Sequence, residues 1–165
     1  MRFGYDAKRA FHNSSGLGNY SRDIIRILSN QFRDQYYILY NPKPSNLDWI
    51  KESDNVHIHY PKSKFWKIFS SLWRQRAISN QIKKDKIDLY HGLSGEIPGG
   101  IDRSKTKIAV TIHDLIFMRF PELYKPVDRK IYFNKVNFAV QNSDVIIAIS
   151  KQTKNDIIHF VQKIL

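Results

Sequence analysis

The sequence predicts an α/β fold: a Rossmann-like, mainly parallel sheet with helices on both faces. Short apolar runs alternate along the chain with segments in which apolar residues recur at helical spacing, the pattern of βαβ units joined by right-handed crossovers. The apolar run at residues 108–112 is too short for an independent helix and suits a strand buried on both faces, as parallel sheets require. Because 165 residues suffice for one such domain and not for two ordinary ones, we expect a single domain over residues 1–165.

The first half of the chain predicts three strands and two helices. The strands are residues 2–6, 36–40 and 56–60, the last two closed by prolines. A polar loop over residues 7–16 leads into a helix whose predicted buried stripe is Leu17, Tyr20, Ile24, Ile27, Leu28 and Phe32. The second helix spans residues 65–84, and its apolar stripe is Phe65, Phe69, Leu72 and Trp73.

The second half predicts three more strands and two more helices. The strands are residues 87–90, 108–112 and 145–149. Asp128 is a plausible N-cap for a helix that reaches Asn142, and Ser150 opens a final helix that runs to the chain end. Since Ile164 and Leu165 continue the apolar stripe of that helix and no Gly or Pro closes it, we expect the natural polypeptide to continue.

Composition narrows the classes of partner and location. The chain has no cysteine, which removes disulfides, thiolate nucleophiles and Cys-based zinc sites and fits a reducing cytosol. No apolar run approaches the ~20 residues that span a bilayer, and the N-terminus lacks the apolar segment of a secretory signal. The net charge of +12 suggests nucleic acid, an anionic membrane or phosphorylated ligands as partners, but no common nucleic-acid recognition motif is visible.

Polar residues follow the predicted strands at what should be one edge of the sheet. They are Asp6, the loop with Gly16 and Gly18, His91, His113, Asp114 and Ser150. In open α/β sheets, ligands bind in a crevice at the carboxyl ends of the strands. A lone histidine at a strand end is more often a structural hydrogen-bonding residue, and Ser150 is most simply an N-cap. Their convergence on one edge is what favours a functional site.

The glycine-rich segment from Gly16 to Tyr20 stands at a helix start. Its backbone N–H groups and the positive end of the helix dipole suit a phosphate or another anion, although a plain turn explains the glycines equally well. A nicotinamide fingerprint is excluded, because Ser21 occupies the third glycine position and no acid follows the second strand. The chain also lacks a Gly-x-Ser-x-Gly elbow, a Walker-type loop and any recognisable metal-ligand spacing.

The segment of residues 62–86 is strongly basic. It contains eight Lys or Arg residues and a single acid, Asp85, together with Phe65, Trp66 and Trp73. One reading is a helix that lies on an anionic membrane and inserts its aromatic rings at the interface. The other reading is a solvated helix whose aromatic residues pack on the sheet.

Four segments together resemble the N-terminal domain of the family-4 glycosyltransferases, retaining enzymes built from two facing Rossmann-like domains (the GT-B fold). They are Ser-Gly-Leu-Gly-Asn-Tyr-Ser at 15–21, Asp-Leu-Tyr-His-Gly at 88–92, Val-Thr-Ile-His-Asp-Leu at 110–115 with Pro121, and Ser-Asp-Val-Ile-Ile-Ala-Ile-Ser-Lys at 143–151. Each is loose alone, but the ordered set covers nearly the whole chain and is fairly specific.

The resemblance implies one half of a GT-B enzyme, in which this domain supplies the acceptor side. The donor-binding C-terminal domain does not correspond to anything in these 165 residues, so we expect negligible turnover from them alone. His113 would contact the transferred sugar. The implied substrate-binding residues are Gly16, Gly18, Asn19, Tyr20, His91, Asp114 and Ser150. The glycine loop would approach the donor diphosphate, and no metal or other cofactor is expected.

The expected activity is therefore retaining transfer of a sugar from a nucleotide-diphosphate sugar to a glycan or lipid-linked acceptor, of the kind that builds cell-surface polysaccharides. The expected location is the cytoplasm, with contact to the inner face of the membrane through residues 62–86. The alternative is a non-catalytic Rossmann-like module in which the same edge holds an anion or a protein. A basic membrane or nucleic-acid adaptor is a third reading.

Overall fold

Six parallel strands form one sheet in the order β3-β2-β1-β4-β5-β6. The computed structural model describes residues 1–45, 47 and 49–161, with the backbone alone at Ser71. The strands are β1 Arg2–Asp6, β2 Tyr36–Tyr40, β3 Val56–His59, β4 Leu89–Gly92, β5 Lys107–Ile112 and β6 Val145–Ala148. This is a doubly wound, Rossmann-like sheet, so the predicted fold class is confirmed.

The fourth strand is the one whose bounds differ most from the prediction. It begins two residues later than expected and includes His91 and Gly92, because both residues pair with β5, opposite Ala109 and Val110. His91 is thus inside a strand and not beyond its end, which corrects the prediction. The strands β3 and β6 each end one residue earlier than predicted.

Helices cover both faces of the sheet. On one face, Tyr37 and Leu39 of β2 pack in a cluster with Ile25 of the helix α2 (Gly16–Gln31), and on the other, Ile38 and Tyr40 pack with Trp73, Ile78 and Ile82. Alternate residues of one strand therefore enter opposite cores, as the period of a β-strand demands. A third cluster joins Val110 and Ile112 of β5 to the helix α7 (Pro126–Asn142).

A short helix, α1 (Lys8–His12), occupies the segment predicted to be a polar loop. Five residues are too few to display helical periodicity, yet Ala10 and Phe11 are both buried in the core. The buried face of α2 is also shifted from the predicted stripe: Gly18, Ser21, Ile25 and Ser29 are buried, while Ile27 and Phe32 are exposed. Small residues let this face of the helix pack close to its neighbours. A search for apolar residues at helical spacing does not detect such a face.

The predicted helix over residues 65–84 is interrupted at Phe69, where ψ is 48°, and then continues without a break over residues 70–84 through a π-helical turn. Its parts are α3 Lys64–Ile68, α4 Ser70–Leu72, the π-helical turn Trp73–Ala77 and α5 Ile78–Lys84. The predicted apolar stripe is accordingly divided: Trp73 is buried, but Phe65, Phe69 and Leu72 are exposed. The π-helical turn brings two successive residues, Trp73 and Arg74, into the interior.

The second half of the chain contains its two predicted helices and, between the predicted strand at 108–112 and the first of them, a short helix and a 3₁₀ turn that were not predicted. In chain order, these elements are α6 Ile116–Arg119, the 3₁₀ turn Pro121–Leu123, α7 and α8 Lys151–Val161. Helix α7 begins at Pro126, with Lys125 in the cap position, so Asp128 lies in the first turn and is not the N-cap. The predicted continuation of α8 through Ile164 and Leu165 lies outside the described residues.

Arg74 forms a buried ion cluster at the carboxyl end of β1. Its Nε lies 3.0 Å from Asp6 Oδ2, and its Nη2 also donates to Glu96 Oε2. Lys135 Nζ adds a second cation, 3.2 Å from Glu96 Oε1. Burial alone would raise the pKa of Glu96, but Arg74 and Lys135 hold that pKa below its ordinary value. The cluster ties β1, the loop after β4, the π-helical turn and α7 together.

Replacing Arg74 with alanine should lower the free energy of unfolding by about 3–5 kcal/mol, because Asp6 would remain buried without its cation. The matched control is Arg76→Ala, two residues away and exposed, which should cost no more than about 0.5 kcal/mol. Urea denaturation of both variants measures the difference. Equal costs for the two would contradict the structural role of Arg74.

Candidate functional site

The candidate site lies where the strand order reverses. From β1 the chain proceeds outward to β2 and β3, then returns to the other side of β1 and proceeds to β4, β5 and β6. The carboxyl ends of β1 and β4 therefore diverge into connections on opposite sides, which opens a crevice between them. β5 is next to β4, so the residues that follow β5 also lie at this rim.

His113 directly follows β5 and is partly exposed. Its Nε2 lies 2.9 Å from the backbone oxygen of Leu93, in the loop after β4. Because a carbonyl oxygen only accepts, Nε2 carries the proton of this bond. In the neutral imidazole, Nδ1 is then an acceptor, and it has no hydrogen-bond partner among the described residues. His113 is thus oriented through one nitrogen and available through the other.

Tyr20 brings the glycine segment into contact with His113. The two rings meet edge to face, with centroids 4.9 Å apart. The Tyr20 hydroxyl lies 3.1 Å from Thr111 Oγ1, and His91 Nε2 lies 2.9 Å from the same oxygen. Thr111 therefore links a residue of α2 to a residue of β4 beneath the rim.

His91 is nearly enclosed in this network. It is 7% exposed and packs beside Tyr5, and burial lowers its pKa to about 4. The imidazole is neutral near pH 7, so His91 supports the rim as an uncharged hydrogen-bonding group. Its predicted contact with a ligand stays a prediction.

Ser150 connects to His113 through Thr153. The Thr153 hydroxyl donates to the His113 backbone oxygen at 2.9 Å, and the Ser150 hydroxyl lies 2.9 Å from Thr153 Oγ1. The Thr153 N–H also donates to Ser150 Oγ at 3.0 Å, which is the N-cap bond of α8. Ser150 is exposed and serves as the cap, as its position at the helix start suggests.

The two glycines differ in their surroundings. A Cβ at Gly18 would lie 1.8 Å from the Asn13 backbone oxygen, whereas a Cβ at Gly16 would meet nothing within 4 Å. Asn13 Oδ1 accepts from the N–H groups of Ser15 and Gly18 and so holds the turn that leads into α2. Gly18 is required by this packing, and Gly16 leaves open space at the helix N-terminus.

Three of the predicted rim residues already hydrogen-bond to other groups of the protein. Asn19 Oδ1 accepts from Arg22, whose guanidinium also donates to the backbone oxygens of Ala10 and Asn13. Asp114 is exposed, and its Oδ1 accepts from the Ile116 N–H. Asp6 lies at the carboxyl end of β1, as predicted, but it is buried against Arg74 and is therefore not free to meet a ligand.

Sequence reasoning missed the residues that connect the site. Thr111 is the one polar residue in an apolar strand, and Thr153 stands three residues after the cap Ser150; both positions were readable signals. Arg74 gave no such signal, because its partners Asp6 and Glu96 are distant in the sequence. Asn13 was also missed, although its bonds to the Ser15 and Gly18 N–H groups are local. Among the described residues, no three His, Asp or Glu side chains gather as metal ligands.

The sheet order and the rim define the class: a Rossmann-like domain with its ligand crevice at the topological switch point. A family model described as Glycosyltransferase Family 4 matches residues 14–164. Because the match covers most of the sequence, the chain belongs to glycosyltransferase family 4. No curated protein matches it. Within the described part of the chain, no helix is both long and apolar enough to cross a membrane.

The low pKa of His91 predicts an acid-sensitive fold. In the unfolded chain this imidazole binds a proton near pH 6.5, whereas in the folded chain it resists protonation until about pH 4. The unfolded state therefore binds more protons between these values, and stability falls as the pH falls. From pH 7 to pH 4.5 we expect His91 to account for a loss of roughly 2–3 kcal/mol.

Urea denaturation of the wild type and of His91→Gln at both pH values isolates this contribution. The free energy of unfolding of the glutamine variant should fall less on acidification by that amount, since glutamine does not titrate. Identical losses in the two proteins would show that His91 is not buried as a neutral group.

Proposed function

We propose that this chain forms the acceptor-side half of the active site of a retaining glycosyltransferase that uses a nucleotide-diphosphate sugar. The observation that carries the proposal is the convergence of Tyr20, His113 and Ser150 at the switch-point rim of a family-4 chain. In the reaction, the bond from the anomeric carbon to the diphosphate breaks and its electron pair leaves with the diphosphate. The acceptor hydroxyl oxygen then bonds to that carbon, and its proton passes to the departing diphosphate oxygen.

His113 is suited to hold the transferred sugar. Its bond to the Leu93 carbonyl and its edge contact with Tyr20 restrict the ring before any ligand arrives. The free Nδ1 can accept a hydrogen bond from a sugar hydroxyl, which would position the anomeric carbon for attack. The proposal gives His113 a role in transition-state orientation and none as a nucleophile.

The N-terminus of α2 is suited to the departing diphosphate. The backbone N–H groups of Gly16 and Leu17 have no acceptor among the described residues, and the open space at Gly16 lets a phosphate approach them. Charge that develops on the leaving oxygen would be stabilised by these donors and by the helix dipole.

Replacing His113 with glutamine should preserve folding and reduce transfer. The glutamine amide can still donate toward Leu93, but the ring acceptor is lost, so we expect kcat to fall by about 10²–10³. Transfer is measured with the complete polypeptide that carries these residues, across a panel of sugar nucleotides, with circular dichroism as the folding check. Activity within twofold of the wild type would remove His113 from the mechanism.

The same assay separates the enzyme from the non-catalytic module. A module would bind an anion at the rim but would neither hydrolyse nor transfer any sugar of the panel. Donor-dependent transfer that responds to His113 supports the enzyme.

The basic segment supports a second proposal, contact with an anionic membrane. The exposed apolar face consists of Phe65, Ile68, Phe69 and Leu72, with exposed fractions of 45–76%. Lys62, Lys64 and Lys67 flank it, and none of the three has an ion-pair partner within residues 1–45, 47 and 49–161. Aromatic and aliphatic side chains among free lysines favour an anionic interface. Such contact would locate the protein at the cytoplasmic face of a membrane.

Sedimentation with vesicles of phosphatidylglycerol and phosphatidylcholine tests the membrane proposal. The double variant Lys64→Glu/Ile68→Ser should bind at least about tenfold more weakly, because it reverses one charge and removes the most exposed apolar side chain of the face. Lys130→Glu, an exposed charge reversal on α7, is the control. Arg74, although basic, is unsuitable for this test because it is buried in the ion cluster. Unchanged binding of the double variant would refute the membrane contact.

A further inference from the structure

A separate cavity opens at the carboxyl ends of the outer strands β2 and β3. Its volume is about 590 Å³, within the range of small-molecule sites. The lining residues are Pro42, Lys43, Pro44, Ile58, His59, Tyr60, Pro61, Lys62, Lys67 and Gln81. Most of the wall is apolar, and three prolines limit its backbone freedom. The cavity is thus largely formed before a ligand arrives.

Asp85 fixes the inner wall of this cavity. Its carboxylate accepts from the Tyr40 hydroxyl, from Gln81 Nε2 and lies 2.8 Å from His59 Nδ1. Burial alone would raise the pKa of Asp85, but these hydrogen bonds lower it, so the group remains a carboxylate. Two cavity-lining side chains, His59 and Gln81, are held in place by this one anion.

Three lysines of the cavity lining lack an acidic partner among the described residues. Lys43, Lys62 and Lys67 are exposed and have no ion-pair partner among the described residues. Asp85 lies behind the wall, with its side chain 11% exposed and its oxygens already hydrogen-bonded. Three lysines among mostly apolar lining surface fit a ligand with an anionic group attached to an apolar body.

The cavity is too far from His113 to hold the transferred sugar. Along the sheet, three strand intervals separate β5 from β2 and four separate β5 from β3. At about 4.8 Å per interval, the distance is roughly 14–19 Å. A molecule that reaches both places must extend along the rim.

We propose that this cavity binds the phosphate of an amphipathic, phosphorylated acceptor whose reacting hydroxyl lies near His113. The proposal rests on the proposed transferase function and adds the chemical class of its acceptor. A phosphate matches the three lysines in charge, and the apolar wall, from Ile58 to the prolines, receives the carbon chain or ring next to it. The phosphate, which is remote from the reacting hydroxyl, holds the acceptor in the cavity, while the uncharged groups that hold His113 orient the sugar.

Calorimetric titration of the chain with hexyl phosphate, inorganic phosphate and hexan-1-ol tests the cavity without any sugar nucleotide. Hexyl phosphate should bind at least tenfold more tightly than either of the others, because only it offers both the charge and the apolar body. Lys43→Glu/Lys62→Glu should weaken hexyl phosphate at least tenfold. The control, Lys105→Glu/Lys130→Glu, changes the net charge equally at two exposed sites away from the cavity and should stay within twofold of the wild type.

Equal losses in the two double variants would overturn the proposal, since binding would then depend on net charge alone. Equal affinity for inorganic phosphate would overturn the apolar part of it. In the transfer assay, the Lys43→Glu/Lys62→Glu variant should raise the acceptor KM with kcat and the donor KM little changed. If hexyl phosphate binds the cavity but no sugar is transferred, the proposed cavity stands and the proposed transferase function fails. If sugar is transferred but the variant leaves the acceptor KM unchanged, the transferase function stands and the cavity proposal fails.

Discussion

The buried contact between Arg74 and Asp6 is the constraint on which the rest of the arrangement depends. A guanidinium in the interior is tolerated only if its charge is matched, and Asp6 with Glu96 matches it at the end of β1. The partners come from a strand, a loop and a π-helical turn, so one cation fixes the relative positions of three segments at the switch point. The floor of the crevice is therefore set by an electrostatic requirement as well as by apolar packing.

The same constraint explains the irregular segment before α5. The π-helical turn inserts an extra residue where Trp73 and Arg74 are buried. The helices before it, α3 and α4, are therefore out of phase with the single periodicity predicted for residues 65–84. Phe65 and Phe69 are left outside, beside the lysines of the outer cavity. The exposed apolar face is thus a consequence of the burial of Trp73 and Arg74 in the interior.

The sequence predicted what depends on local pattern and missed what depends on distant partners. Strands such as β2 and β5 could be located because their apolar runs end at sharp polar or proline boundaries, and the rim position of His113 followed from the topology. Thr111 stood out as a polar residue in an apolar run, but its partners could not be predicted, and neither could the burial of Arg74, because the side chains involved lie 20 to 91 positions away. The short helix α1 was missed because five residues contain little more than one turn of periodicity.

Two places along the carboxyl edge of the sheet differ in the groups they present: one is around His113 and the other is the outer cavity beside β2 and β3. The hydrogen-bonding groups that hold His113, Tyr20 and Thr111 are hydroxyls, a backbone carbonyl and the neutral imidazole of His91, each oriented by another. Under the proposed function, such an arrangement would need little reorganisation when charge develops on a substrate. Lys43, Lys62 and Lys67 line the outer cavity. Under the acceptor proposal, their attraction for an anion would add binding energy without acting on the reacting bond. The separation along the sheet lets affinity and orientation be set by different strands.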